Sequence, residues 1–277
     1  DGQLHGQLHP LELHVGLALR RRAAFEPALD YAVVKIPRWP FDKFSRADRT
    51  INTQMKATGE VMAVDRSFEG ALQKAVRSLE GQARDLAWVD PKWTPEQIES
   101  LIRKPNDQRL WAIMAALRSG VTVDTIHEWS KIDEWFLEKL LGLVGIEREI
   151  AATSDELDPE LLWTAKRAAF SDRQIGTLLG TSEHAVRETR VALGMTPVYK
   201  MVDTCAGEFE ASTPYFYSTY EEEDEARVGE KPRIVILVVI AKLENPALSL
   251  GLHDRVDGAQ GRFELGAGVV VVEEIRM

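Results

Sequence analysis

Two arginines, Arg187 and Arg190, stand three apart on what reads as the second helix of a helix-turn-helix. In a DNA reader that helix enters the major groove, where a guanidinium grips a guanine edge through paired hydrogen bonds. The stretch FSDRQIGTLLGTSEHAVRETRVALG, residues 170–194, supplies the rest of the pattern. Ser171 and Gln174 make a capping box, Ile175, Leu178 and Leu179 face inward, and Gly180 makes the turn. Ser182 caps a second helix bearing Val186 and Val191. Its outward residues are then Glu183, His184, Arg187, Glu188 and Arg190. Two acids cancel the two arginines and would face phosphate oxygens. The same caps serve a packed helix pair as well as a DNA reader at 171–194, and both readings stand at this point.

Other chemistry-bearing residues are sparse. His5, His9 and His14 could gather a metal if helical, since positions four apart share a face. The tandem GQLH of residues 1–24 reads instead as a disordered, atypical lead. Cys205 is the only cysteine, so the chain has no intrachain disulfide and no cysteine-based zinc site. A reducing, cytoplasmic setting fits. Residues 221–230, EEEDEARVGE, hold six acids and one Arg, which is −5 of the formal −10. Taken by itself, Glu223 in that run is a solvated acid. The acidic balance argues against nucleic acid as a general partner. No apolar run approaches the roughly 20 residues of a membrane helix. The longest, IVILVVIA at 234–241, is strand-like. The start of the chain has no signal-peptide layout.

The elements that would position these residues change along the chain. Leu29–Phe41 begins as a strand and ends in a turn punctuated by Pro37 and Pro40. Glu60–Ser67 alternates as a second short strand. A helix follows, capped by Ser67, striped by Leu72, Ala75, Val76 and Leu79, and ended by Gly81. From Thr94 to Gly194 the chain reads as five or six short helices joined by links of two to five residues, a compact all-α domain. Thr94, Pro95 and Gln97 open the first. Leu110, Ile113, Met114 and Leu117 share one face of the next, and Asp158 with Pro159 opens a later one. The stretch 133–150 is apolar over more than half its circumference and reads as central. Trp111, Trp129, Trp135 and Trp163 are expected to pack the core. After Gly194 the texture turns extended and tyrosine-rich. KPRIVIL looks like the first strand of an α/β unit, and the tail from Val238 is Gly-rich and loosely β.

FEPALDYAVVKIPRWPFDKF, TQMKATGEVMAVDRSFEGALQKAVRSLE, HEWSKIDEWFLEKL and LGMTPVYKMVDTCAGEFEASTPYFYSTYEEEDE occur in this order. Together they resemble the large subunit of carbamoyl-phosphate synthase, from about Phe25 to Leu237. The resemblance implies a mainly α fold: a multi-helix oligomerisation domain flanked by short α/β remnants of two ATP-grasp halves. Residues 25–83 would end the first, carboxyphosphate-forming half. Residues 84–200 would be the oligomerisation domain. Residues 201–237 would be a linker and the first strand of the second half, and 238–277 an atypical tail. The helix-turn-helix then becomes part of a packing domain.

The family enzyme is an ATP-dependent ligase of arginine and pyrimidine biosynthesis. It uses ATP with Mg or Mn, bicarbonate, and ammonia delivered by a glutaminase small subunit. The resemblance implies that Glu60, in TGEVM, and Glu223, in YEEED, line the carbamate route. It makes Lys200, Asp203, Tyr215, Tyr217 and Tyr220 anchors of the linker. It also marks departures. The family's Glu-x-Asn-Pro-Arg segment and its Gly-rich phosphate loop have no counterpart here, so no catalytic residue and no cofactor is assigned to this chain. The expected role is an oligomerisation scaffold that is inactive alone and associates with itself. The loss of pattern near Ala24 and Val238 fits a frameshift, a truncation or a fusion. Within the matching part, Gly70 stands where the family usually has Glu, and Asp65 where it usually has Gly.

Overall fold

In the computed structural model the described residues are 26, 28–79, 85–153, 157–208, 215–226, 236–237 and 270–271. The histidine-bearing lead, Gly81, most of KPRIVIL and most of the tail lie outside them. The chain divides into two units, one of residues 1–30 with 202–213 and one of residues 31–201 with 214–277.

The larger unit opens on a hairpin, β1 (Ala32–Arg38) with β2 (Gly59–Asp65), paired antiparallel from Ala32↔Asp65 to Arg38↔Gly59. Pro37 lies inside β1 opposite Glu60 rather than in the turn after it. Among the described residues β1 pairs on one side only, the edge position where a proline is tolerated in a sheet. Helix α1 (Phe68–Ser78) packs beneath the hairpin, and the Ser67 hydroxyl accepts from Gly70 N. Its inner face buries Ala71, Leu72, Ala75 and Val76.

Among the described residues seven helices follow rather than five or six: α2 (Pro95–Arg103), α3 (Arg109–Arg118), α4 (Val123–Ser130), α5 (Glu134–Ala151), α6 (Pro159–Arg167), α7 (Asp172–Leu179) and α8 (Glu183–Ala192). The element not placed from the pattern is α4, whose eight residues are too short to show a full periodic stripe. The α5–α6 link, 152–158, is seven residues and exceeds the expected range. Capping boxes open α2 at Thr94/Gln97 and α7 at Ser171/Gln174. Asp158 sits at the N-cap of α6 without a side-chain bond to the backbone. Helix α3 is buried from Trp111 to Leu117 on all sides, and α5 buries Leu137, Leu140, Leu143, Val144 and Ile150. One continuous apolar core runs from Leu72 and Val76 of α1 through α3 and α5 to Ile175 and Val186.

The capping box of α7 makes a direct prediction. Ser171→Ala removes the acceptor for Gln174 N at 3.1 Å. It should lower unfolding stability by about 1 kcal/mol in urea denaturation.

After α8, strands β3 (Val198–Met201) and β4 (Tyr215–Thr219) pair antiparallel, with Lys200 opposite Tyr217. Two-residue strands β5 (Ile236–Leu237) and β6 (Val270–Val271) complete the order β3-β4-β6-β5. In the smaller unit Ala28 N donates to Ala206 O at 3.0 Å.

Candidate functional site

Lys74 of α1 is buried, and its ammonium lies at a junction of three elements. It pairs with Asp65 at the end of β2 at 2.5 Å, donates to Val64 O at 3.1 Å, and donates to Ser218 O of β4. The face of the Tyr217 ring lies 5.8 Å away. Asp65 in turn accepts from the Thr219 hydroxyl at 3.2 Å and from Arg66 N at 2.6 Å. Burial pulls the Lys74 pKa below its usual 10.5, against the pull of the Asp65 carboxylate. A buried cation is tolerated here because an anion and two carbonyls surround it.

The same helix reaches the helical core through polar side chains. Gln73 donates to Ala168 O at 2.7 Å and accepts from Gln174 Nε2 at 2.9 Å. Arg77 donates to Ala169 O at 2.6 Å, where the backbone turns through φ 61°. Burial lowers the Arg77 pKa to about 10. The roles of Lys74, Gln73 and Arg77 are not legible in the sequence. Only the apolar stripe of α1 is, and a polar residue beside a stripe reads as solvent-facing.

The carboxylates singled out by sequence sit apart from this junction. Glu60 is exposed on β2 and pairs across the hairpin with Lys35 at 2.7 Å. Glu223 is exposed and lies 3.9 Å from Lys200. The closer partner of Lys200 is Glu225, at 3.0 Å, which also accepts from Met201 N at 2.8 Å. Glu225 N donates to Tyr199 O at 2.9 Å, so the acidic run edges β3. Tyr217 is buried against Tyr31, with ring centroids 6.2 Å apart. The Tyr220 ring lies 6.4 Å from Trp163 and carries the Lys166 ammonium 4.7 Å above it. Tyr215 is half-exposed. In the smaller unit Asp203 accepts from Cys205 N at 2.8 Å and Gly207 N at 2.7 Å, closing a tight turn through Ala206 and Gly207, both at positive φ.

Helices α7 and α8 do pack as a helix-turn-helix, with Gly180 at φ 69°. A side chain at Gly176 would lie 2.9 Å from Thr181 O, so the close approach of the turn needs glycine there. The outward set differs from expectation. Glu183, His184, Arg187 and Glu188 are exposed, and Arg190 is buried. Its Nε donates to Asp172 Oδ2 at 2.8 Å and its Nη1 to Met195 O at 3.0 Å. Lys166 completes the group, donating to Asp172 Oδ1 at 2.8 Å and to Phe170 O at 3.0 Å. Arg190 turns inward because α7 places a carboxylate beneath it, a tertiary fact that no local pattern encodes. Val191, expected inside, is 53% exposed. The remaining arginine of the outer face, Arg187, stands 3.9 Å from Asp172 and has two glutamates beside it. Such a face has no cationic surplus for phosphate.

Residues 60–194 match the family described as carbamoyl-phosphate synthetase large chain, oligomerisation domain. Over 216 residues the chain is 56% identical to the carbamoyl phosphate synthase large chain of Thermomicrobium roseum and 55% identical to that of a Thermoanaerobacter species. Each match covers 78% of this chain and 20% of the relative. A third relative, the N-terminal section of the large chain of Methanopyrus kandleri, is 51% identical over 223 residues, covering 74% of this chain and 39% of its own length.

The chain belongs to the carbamoyl-phosphate synthase large-chain family.

It spans about a fifth of the length of the large chains it matches. The stretch matched to the oligomerisation domain contains α1 to α8 whole, and with them Lys74, Asp65, Lys166, Asp172, Arg190 and the helix-turn-helix; the β4 partners of the Lys74 cluster lie outside it. The α7–α8 pair is therefore a packing element of that domain, and the DNA reading has no support. A groove of about 390 Å³ opens in the same domain, lined among others by Asp85, Trp88, Glu147, Arg173 and Leu178. Its charges pair with near neighbours, Arg173 with Asp85 at 3.4 Å and Glu147 with Arg118 at 2.7 Å. Among the described residues no three His, Cys, Asp or Glu side chains gather as a metal site. Among them, too, no helix is long and apolar enough to cross a membrane.

Proposed function

We propose that this chain serves as the self-association domain of a carbamoyl-phosphate synthase large chain and makes no carbamoyl phosphate by itself. The observation that carries the reading is the match of residues 60–194 to an oligomerisation domain, laid over a helical unit with a continuous core. In this reading β1 and the β1–β2 connection are the end of the carboxyphosphate-forming ATP-grasp half, while β2 from Glu60 on and α1 fall within the stretch that matches the oligomerisation domain. Strands β3 and β4 lead into the carbamoyl-phosphate-forming half. ATP, Mg or Mn, bicarbonate and the ammonia-supplying glutaminase small subunit belong to the longer enzyme of arginine or pyrimidine biosynthesis, acting in a reducing cytoplasm.

In this reading the nucleotide–metal centre, which needs basic groups for phosphate and clustered carboxylates for magnesium, belongs to the longer enzyme. We assign Glu60 and Glu223 to the rim of the carbamate route as exposed carboxylates and give neither a proton-transfer role. Lys35 offsets the charge of Glu60, and Lys200 lies near Glu223.

Sedimentation equilibrium of the purified chain, with a bicarbonate-dependent ATP hydrolysis assay on the same sample, tests the proposal. The expected result is a mass that rises with concentration and hydrolysis at background. A concentration-independent monomer mass overturns the association role, and hydrolysis well above background overturns the inactivity.

A further inference from the structure

The two carboxylates assigned to the rim of the carbamate route stand on separate pieces of backbone. Glu60 is on β2, opposite Pro37. Glu223 follows β4, three residues after Tyr220. The β1–β2 pair and the β3–β4 pair belong to different sheets, and among the described residues no ladder joins the two. Backbone pairing therefore does not set where one carboxylate stands relative to the other.

Lys74 is placed to do so. An ammonium has three N–H donors. Those of Lys74 meet three acceptors: the Asp65 carboxylate and Val64 O at the end of β2, and Ser218 O in β4. Asp65 adds a second bond to the same strand, accepting from the Thr219 hydroxyl at 3.2 Å. Asp65, Lys74 and Thr219 are all buried. The base of the tie is itself held. On either side of Lys74, Gln73 donates to Ala168 O at 2.7 Å and Arg77 to Ala169 O at 2.6 Å, fixing α1 to the α6–α7 turn. The Tyr31 ring also touches Tyr217, but a ring contact can slide, whereas hydrogen bonds to fixed acceptors are directional. A buried ion pair contributes little net stability over an apolar pair, and its best-attested use is to select one register.

The strands carry that register to the two acids. From Val64 the ladder of β2 runs back four residues to Glu60, about 14 Å. From Ser218 the chain runs on to Tyr220, whose ring lies against Trp163 and beneath the Lys166 ammonium. Beyond Glu223, Glu225 accepts from Lys200 at 3.0 Å and from Met201 N at 2.8 Å. Glu223 thus stands between two held points.

We propose that Lys74 is a positioning residue: its ammonium ties β4 to the end of β2 and so sets the separation of Glu60 and Glu223. The use of that separation rests on the rim assignment of the two acids; the tie itself does not.

The test reads a distance. Glu60→Cys and Glu223→Cys, in a chain with Cys205→Ser, each take a spin label, and double electron–electron resonance gives the distribution of distances between them. A second label pair, Asp124→Cys with Glu183→Cys at exposed sites on α4 and α8, reads the helical core. Both pairs are measured with Lys74→Met, which keeps an unbranched stem and loses every donor, and with Thr219→Val, which loses only the hydroxyl.

The expected result is a narrow 60–223 distribution that Lys74→Met broadens at least about twofold as β4 opens locally, with the core pair unchanged. Thr219→Val broadens it less. An unchanged 60–223 distribution in Lys74→Met overturns the tie. So does equal broadening of both pairs, which makes Lys74 an ordinary contributor to core stability. Should Lys74→Met lose helical circular dichroism, Thr219→Val decides alone, and an unchanged distribution there overturns the tie. If the distance broadens while a whole large chain carrying Lys74→Met makes carbamoyl phosphate at its unaltered rate, the tie stands and the rim assignment falls.

Discussion

Replacing Asp172 by alanine lowers the unfolding free energy by about 3–5 kcal/mol, the usual cost of stripping one partner from a buried ionic group. The Asp172 side chain is 3% exposed, and the two cations it holds, Lys166 and Arg190, are 5% and 3% exposed. Without the carboxylate Lys166 keeps its bond to Phe170 O and Arg190 its bond to Met195 O, but neither carbonyl carries a charge to offset theirs. Two buried positive charges then face each other across the space between α6 and α8. Urea unfolding at neutral pH reads the loss, and a change under about 1 kcal/mol would contradict this account.

The acid arm of the same residue carries a sign. Burial alone would raise the Asp172 pKa, but the Lys166 ammonium and the Arg190 hydrogen bond outweigh it and hold the carboxyl below its usual 3.8. A carboxyl depressed in the folded state contributes stability that is fully present above the unfolded pKa, near 4. That contribution fades as the pH falls through the folded value. Wild type should therefore lose stability below about pH 4 more steeply than Asp172→Ala, whose acid arm lacks this contribution.

Restoring the family's usual residue at a single position should harm this chain. Gly70→Glu places a Cβ 2.7 Å from Asp65 Cγ and 2.9 Å from its Oδ2. Asp65 cannot swing aside without releasing Lys74 and Thr219. Overpacking of this kind costs about 1–3 kcal/mol, and more if the Lys74 pair opens. Asp65→Gly alone leaves Lys74 buried without its anion, at about 3–5 kcal/mol.

The double variant should lie close to wild type. A glutamate at 70 is four residues before Lys74 on the same helix and sits at the third helical position after the Ser67 cap. It can complete a capping box and supply the carboxylate that Lys74 lacks. In this account one carboxylate can serve Lys74 from either place, from the strand at position 65 or from the helix at position 70. A double-mutant cycle by thermal or urea unfolding should give a coupling of at least about 2 kcal/mol. Additive losses would sink the idea.

Much of the frame is legible in the residues alone. The caps at Ser67, Thr94 and Ser171 follow from residue type and spacing and make the expected bonds, because a cap is settled within four residues. The strand at residue 60, the helical run to residue 194 and its central α5 follow from periodicity. The family follows from long motifs in order. Helix α4 is missed, because its eight residues give barely two turns of pattern. Arg190 reads as outward from its place on a helical wheel, which shows a face and not what lies against that face.

Residue type and spacing thus carry what is local and additive: where helices start, which stripe is apolar, and which family shares the motifs. Other features emerge only when the elements pack together. These are the identity of the buried charges, the anchoring of a cluster by Lys74 and another by Asp172, the filling of the space above Gly70 by Asp65, and the exposure of Trp135 and Phe136. The reason is physical. A cap or a stripe depends on neighbours within a turn or two of chain. A buried ion pair depends on groups up to 154 residues apart, as Asp65 and Thr219 are, and desolvation gives such a pair its energy only once the elements have closed over it.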